Sequence, residues 1–273
     1  MSQWPYRIAR EQRAIRALVV SVSVLLLAAA CYDDDNNDYN PTEPLPPQAT
    51  IITASGAITA KVDEFRALLG DPVNGGTVAG PAPSGRRQVN WDGVSGANLN
   101  TNTFPTDFFA RTTKLGLITT TPGAGLRVSD NDFADINGAF GDVFNPFSGT
   151  KTFIAVGSNV VDCTFEVAGG TGPAAVVAGF GVVFADVDNA TGTKLEAFDK
   201  AGKKLGTFTA PVRSDATGLS FVGFKFASAI VARVRITSGT GALGAQAQDV
   251  SNGGASDLVI MDDFLYSEPV PQP

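Results

Sequence analysis

The sequence predicts an all-β protein, an antiparallel β-sandwich with a short N-terminal helix, and three observations support that class. After about residue 70, short apolar runs rich in Val, Ile, Phe and Thr are separated by Gly, Asn, Asp and Pro clusters, the strand-and-turn pattern of a sandwich. No stretch beyond Gly70 repeats its apolar residues at helical spacing, which argues against the alternating strands and helices of a crossover fold. Residues 51–267 also have the length of one unit, because sandwiches commonly run to about 200–250 residues as a single domain. Neither an internal repeat nor a second linker interrupts them.

The segments before that unit read in order. Arg7, Arg10, Arg13 and Arg16 precede an uncharged run of apolar and small residues from Ala17 to Ala30. Positive charge followed by a short apolar block is the pattern of a signal peptide. The run is about 14 residues against the roughly 20 that a helix needs to cross a bilayer, so cleavage after residues 1–30 is expected rather than retention. Ala28, Ala29 and Ala30 ahead of Cys31 resemble a bacterial lipoprotein lipobox, with Ala28 where leucine is commoner. The resemblance implies diacylglycerol on the Cys31 sulfur, an acylated amino terminus and a lipid anchor in a membrane. Several acyl chains hold where a single one gives only marginal attachment. The other reading is an ordinary secretory cleavage nearby, with Cys31 left as a free thiol. Either way the protein is expected to be exported, to the cell envelope or cell surface. Asp33, Asp34, Asp35 and Asp38, then Pro41, Pro44, Pro46 and Pro47, make residues 31–50 an acidic, proline-rich tether that cannot bury a core.

Within the sandwich region, Ile58, Val62, Phe65, Leu68 and Leu69 have near-helical spacing, with Gly70 as a stop and Pro72 beyond it, so a short helix is expected there. "AAVVAGFGVVFADV" is apolar almost throughout, with Gly179 and Gly181 inside it, and fits a central strand buried on both faces. "KLEAFDKAGKKLGTFTAP" places strand residues on both sides of a turn, a hairpin with Gly202 in the left-handed position. In "AIVARVRITSG", Ile230, Ala232, Val234 and Ile236 alternate with Val231, Arg233 and Arg235, so one face is apolar and the other mostly charged. Residues 268–273 read as a C-terminal tail.

"FRALLGD", "GRRQVNWDGV", "PTDFF", "FGDVFNPFSGTKTF", "GFGVVFADVD", "GLSFVGFKF", "VARVRITSG" and "LVIMDDFLYSEP" resemble the blocks of a family of uncharacterised exported bacterial proteins. The blocks span nearly all of residues 58–268. The resemblance implies a jelly-roll-like sandwich and transfers no activity. The closing strand, acidic residues beside an aromatic, is also similar to the last strand of galactose-binding-like carbohydrate modules, which implies glycan binding by analogy.

The composition excludes much chemistry. The chain has no histidine, so histidine triads, His-ligated zinc and imidazole acid–base catalysis are ruled out. Of its two cysteines, Cys163 has no partner once Cys31 is lipidated, which leaves no intrachain disulfide and no thiolate zinc cage. The glycines of "GFGVVF" and "GTGALG" lack the strand-loop-helix context of a phosphate cradle. The formal charge is −7, and loss of residues 1–30 removes four Arg and one Glu, leaving −10. Nucleic acid is therefore not an expected partner, because phosphate binding needs clustered Lys and Arg.

Carboxylates carry the remaining chemistry. Asp186, Asp188 and Asn189 follow the apolar run directly, with Thr191 and Gly192 behind them. Hard oxygens at alternate positions, with a glycine that lets the backbone turn, suit calcium and its roughly six to eight ligands. The spacing does not complete an EF-hand loop. The same residues also read as a strand end and a solvated turn, for which Asp and Asn are ordinary choices. Asp262 and Asp263 are adjacent on the last strand. A regular strand points them to opposite faces, Asp262 with Ile260 and Phe264, and Asp263 with Met261 and Leu265, so they chelate one ion only if the strand bulges. They read as satisfied structural carboxylates or as ligands that join the calcium loop from elsewhere.

Asn90, Trp91 and Asp92 combine a ring face with planar polar groups, the mixture that sugars bind, although the only tryptophan outside the signal peptide is more often a core plug. Phe104, Phe108, Phe109, Phe140, Phe144 and Phe147 are expected mostly in the core, and "NPFSG" as a turn. Three functions are open: a noncatalytic glycan-binding module, a structural lipoprotein that binds an envelope protein, and a carboxylate-based glycosidase or lyase. The first is the expectation, with calcium as a stabilising ion and no enzymatic activity.

Overall fold

In the computed structural model, which describes residues 47–213 and 218–273, two antiparallel sheets pack as a sandwich. The expected signal peptide, Cys31 and most of the tether lie outside the described residues. No described helix is long and apolar enough to cross a membrane. The first sheet runs in the order β1 (Ala49–Ser55), β11 (Leu219–Phe226), β8 (Gly179–Ala185), β13 (Ile260–Ser267), β5 (Thr152–Val156) and β4 (Gly125–Ser129). β2 (Arg86–Val89) pairs with the C-terminal half of β13. In the second, β10 (Lys204–Thr209), β9 (Lys194–Phe198), β12 (Arg233–Thr237), β6 (Val160–Glu166), β7 (Ala174–Val176) and β14 (Val270–Pro271) follow one another, with β3 (Leu117–Thr120) also on β6.

The inner faces meet in an aromatic core of Trp91, Phe153, Phe165, Phe180, Phe264 and Tyr266, packed against Cys163, Val234 and Ile236. The outer face of the first sheet is covered as well. Helix α1 (Thr59–Leu69) lays Val62, Phe65 and Leu69 on it, and a loop cluster containing Phe133, Phe140, Phe144, Leu243 and Leu258 covers Ile154 and Ile260. Burial on both sides explains why every residue of β8 and β13 is buried, and why β8 reads as a continuous apolar run rather than an alternation.

α1 is held by close approach. Gly181 and Gly223 are cross-strand neighbours on β8 and β11, and Phe65 sits on the pair. A β-carbon at Gly181 would lie 2.6 Å from Phe65 Cε1, and one at Gly223 would lie 2.7 Å from Phe65 Cε2 and Cζ. The glycines therefore form the seat of the ring, and each large apolar side chain of α1 that is fully buried contributes about 1.5–3 kcal/mol. The helix ends at Gly70 with φ 114°. The hairpin β9–β10 also matches expectation, with Gly202 at φ 81°.

Three expectations are corrected. The sandwich starts at Ala49, because β1 pairs with β11 in unbroken register from Ala49 to Ser55. Residues 268–273 are not a tail: β14 pairs with β7, and the buried Glu268 carboxylate accepts Arg87 Nε and Nη2 at 2.7 Å each, Asn74 Nδ2 at 3.0 Å and the Ala82 amide at 3.1 Å. Regular alternation begins at Arg233. Val231 is buried, because its backbone exchanges hydrogen bonds with Val177 before Ala232 turns to Phe198 on β9.

Candidate functional site

Two groups of carboxylates stand out. The first forms where β8 ends. Asp186 adopts φ 66°, an uncommon left-handed conformation for a residue other than glycine, and its amide donates to Gly218 O at 2.8 Å. That turn carries Asp186, fully buried, and Asp188, half-buried, toward Asp249 from the loop between β12 and β13. One carboxylate oxygen from each of the three lies within 4.8 Å of the others. This spread matches oxygens arranged around an ion with bonds of about 2.3–2.6 Å.

The supporting contacts are short. Asp249 begins the 3₁₀ turn Val250–Asn252; its Oδ2 accepts the Ser251 amide at 2.7 Å and its Oδ1 the Leu258 amide at 2.7 Å. Asp257, buried beside it, accepts the amides of Asp188 at 3.2 Å and Asn189 at 2.9 Å and so fixes the start of the loop. Burial raises the Asp257 pKa, the two amide bonds oppose the rise, and the Asp249 charge adds to it. The donor set is hard oxygen throughout, which suits a hard cation and not a soft metal.

Of the loop residues expected as ligands, the structure converges Asp186 and Asp188 and leaves the others aside. Asn189 Oδ1 accepts both the Thr191 amide at 2.9 Å and the Thr191 hydroxyl at 3.1 Å, so these two side chains close an exposed turn on themselves. Asp249 was not a candidate from sequence. "QDVSNGG" shows a turn with a capping Asp, and nothing in it reports which distant loop it meets.

Asp262 and Asp263 form the second group, and of their two readings the structure shows structural carboxylates rather than ligands that join the calcium loop. The register of β13 on β8 shifts between Met261 and Phe264, so the strand does bulge at the two aspartates. Neither reaches the Asp186 cluster. Asp262 Oδ2 accepts the amides of Phe147 and of Ser148, the latter at 3.1 Å. Asp263 accepts the Ser148 hydroxyl at 2.6 Å, Arg66 Nη2 at 2.8 Å and Gln88 Nε2 at 3.0 Å. Together they anchor the "NPFSG" turn and α1 to the sheet. Burial, then the Asp263 charge, pushes the Asp262 carboxyl up to about 8, against the opposing amides of Ser148 and Phe147. Asp263 is also raised, by burial first.

The expected sugar platform is corrected too. Trp91 is 1% exposed, stacks on Phe153 at 4.0 Å with an interplanar angle of 6°, meets Phe109 and Phe264 edge-on, and donates its Nε1–H to Asp262 O at 2.8 Å. Its ring is a core element with no free face. Asn90 is exposed, and the half-buried Asp92 uses Oδ1 to accept the Thr150 amide at 3.0 Å. Cys163 is fully buried, and burial pushes its thiol well above the usual range, which makes it inert.

No family model and no curated protein matches the chain. Among solved structures, the enzymatically active domain of tailspike protein 4 from bacteriophage CBA120 is similar at 16% identity and a TM-score of 0.17, over 51% of this chain and 20% of that one. The chain thus spans about a fifth of that protein's length, and a likeness at this score carries no argument about fold or activity.

Proposed function

We propose that the protein is a noncatalytic binding module of the cell envelope, anchored by lipid on Cys31, with glycans as its ligand class and calcium holding its acidic loops. The observation that carries the calcium reading is the meeting of Asp186, Asp188 and Asp249 within 4.8 Å. Carboxylates gathered away from water repel one another, and a divalent cation among them reverses that term. The ion is structural in this reading. The aspartates would hold it, and it would fix the loop after β8 to the loop before β13.

Support for a noncatalytic role comes from the acidic pair. A glycosidase needs two carboxyls flanking a sugar in a cleft. Asp262 and Asp263 are 1% and 0% exposed and serve the packing of α1 and the 147–150 turn. A second reading, a structural lipoprotein that pairs with an envelope protein, is favoured by the seven-residue uncharged strand β1. Among the described residues only β11 pairs with it.

Thermal unfolding of the full chain in EDTA and in calcium tests the ion. A ligand at 100 times its Kd adds about 2.7 kcal/mol, equivalent to roughly 5–10 °C for a domain of this size. Asp249→Asn should abolish the rise; a calcium shift that survives the substitution excludes the site.

A further inference from the structure

We infer that the solvent-facing side of the second sheet is a binding platform for an acidic polysaccharide, read through Arg233 and Arg235. The inference deepens the glycan-binding reading and rests on it. The central strands β8 and β13 of the first sheet are buried on both faces, whereas β9, β12 and β6 alternate strictly between buried residues facing the core and half-buried residues facing outward. The outward residues align in rows across the strands. Phe198, Arg233, Thr164 and Ile118 are successive cross-strand neighbours, and Glu196, Arg235 and Asp162 form the adjacent row, flanked by Thr207 and Thr120. Five strands at about 4.8 Å spacing give a flat face about 19 Å wide, room for several sugar rings side by side.

The charge on this face contrasts with the rest of the chain. Arg233, Arg235, Lys194 and Lys204 outnumber Asp162, Glu196 and Glu166, with Lys204 paired to Glu196 at 3.2 Å, in a protein whose overall charge is −7. Both arginines turn onto one carboxylate. Arg233 Nη1 donates to Asp162 Oδ1 at 2.8 Å, and Arg235 donates to both oxygens at 3.0 and 2.8 Å. A guanidinium carries five N–H donors, so these three bonds leave seven of the ten donors of the pair for other partners, on side chains that are 29% and 42% exposed. The Arg233 plate is also fixed in place, because its guanidinium lies 3.8 Å over the Phe198 ring. Arg235 spends its Nε/Nη2 edge on Asp162, so its remaining Nη donors and those of Arg233 are the positioned N–H groups from which a ligand carboxylate would accept.

Hydroxyls and shape favour a sugar acid over other anions or a protein. Thr164, Thr207 and Thr120 intersperse the charged groups, which suits a ligand that carries hydroxyls between its carboxylates. Beside Ile118 and Thr164 the row ends in a hollow of about 310 Å³ whose wall includes Glu166, Ala232 and Gln272. Protein interfaces centre on apolar side chains. The exposed large hydrophobics among the described residues, Ile51, Val73, Val78, Val212 and Val250, all lie off this face.

The test is affinity electrophoresis of the full chain in detergent through gels containing polygalacturonate or neutral dextran, with EDTA present so that calcium bridges nothing. Retardation by polygalacturonate alone, weakened by 0.5 M salt and at least tenfold by Arg235→Ala, is the expected result. Should Arg235→Ala unfold the protein, Thr207→Glu and Thr209→Glu place negative charge on the same exposed face without touching the ion pair, and should weaken retardation as well. Equal retardation by dextran, or polygalacturonate binding that ignores these variants, would overturn the platform while leaving the module reading intact. Absence of retardation by either polymer would overturn both.

Discussion

Asp262→Asn should make the protein more stable in alkali, and the reasoning can be worked from the buried pair. In the folded chain Asp262 titrates near 8, raised from 3.8 by burial and by the neighbouring Asp263 charge, while in the unfolded chain it returns to about 3.9. The folded state therefore holds the proton more tightly between those values. The contribution of this group to stability is complete below about pH 4 and is lost as pH rises through about 8. About four units at roughly 1.36 kcal/mol each set a ceiling near 5 kcal/mol. Asparagine reproduces the protonated acid: its carbonyl accepts the Phe147 and Ser148 amides, and its NH₂ faces Asp263. Urea denaturation of both proteins at pH 5, 7 and 9 reports the Asp262–Asp263 pair, because the remaining titrating residues are common to both. Because the loss begins at about pH 4, Asp262→Asn should already be the more stable by about 1.5 kcal/mol at pH 5, by about 4 kcal/mol at pH 7 and by about 5 kcal/mol at pH 9. Parallel profiles, or a variant less stable at pH 9, would refute the reasoning.

Other consequences follow from the packing and the anchor. Gly223→Ala should cost about 1–3 kcal/mol in denaturant unfolding by overpacking Phe65, and the cost should shrink in a Phe65→Leu background. Glu268→Ala removes the partner of the fully buried Arg87 and should cost about 3–5 kcal/mol, measured the same way. Cys31→Ser should release the protein from membranes in a fractionation experiment; continued membrane association would count against lipidation there.

Local features of the fold were legible because they depend on local physics. Helix α1 followed from the spacing of Val62, Phe65 and Leu69 with a glycine stop, and the β9–β10 hairpin from a turn that needed Gly202 in a left-handed conformation. The continuous apolar run of β8 correctly implied a strand covered on both faces. What was not legible depends on long-range pairing. β14 carries only Val270 and Pro271 and becomes a strand because β7 lies beside it, and the register of Val231 is set by Val177 in another strand. The candidate site divides the same way. Asp186 and Asp188 were visible as oxygens at alternate positions, whereas Asp249 reaches them through the tertiary fold. Trp91 offered the right side chain for a sugar, but burial among Phe153, Phe109 and Phe264 decides its role, and residue type alone does not report burial.

Isothermal titration of EDTA-stripped full chain with calcium chloride tests the central claim most directly, with Asp186→Asn and Asp249→Asn as parallel samples. The account predicts one calcium per chain in the native protein and none in either variant. Absence of binding by the native chain, or stoichiometric binding that both variants retain, would contradict it.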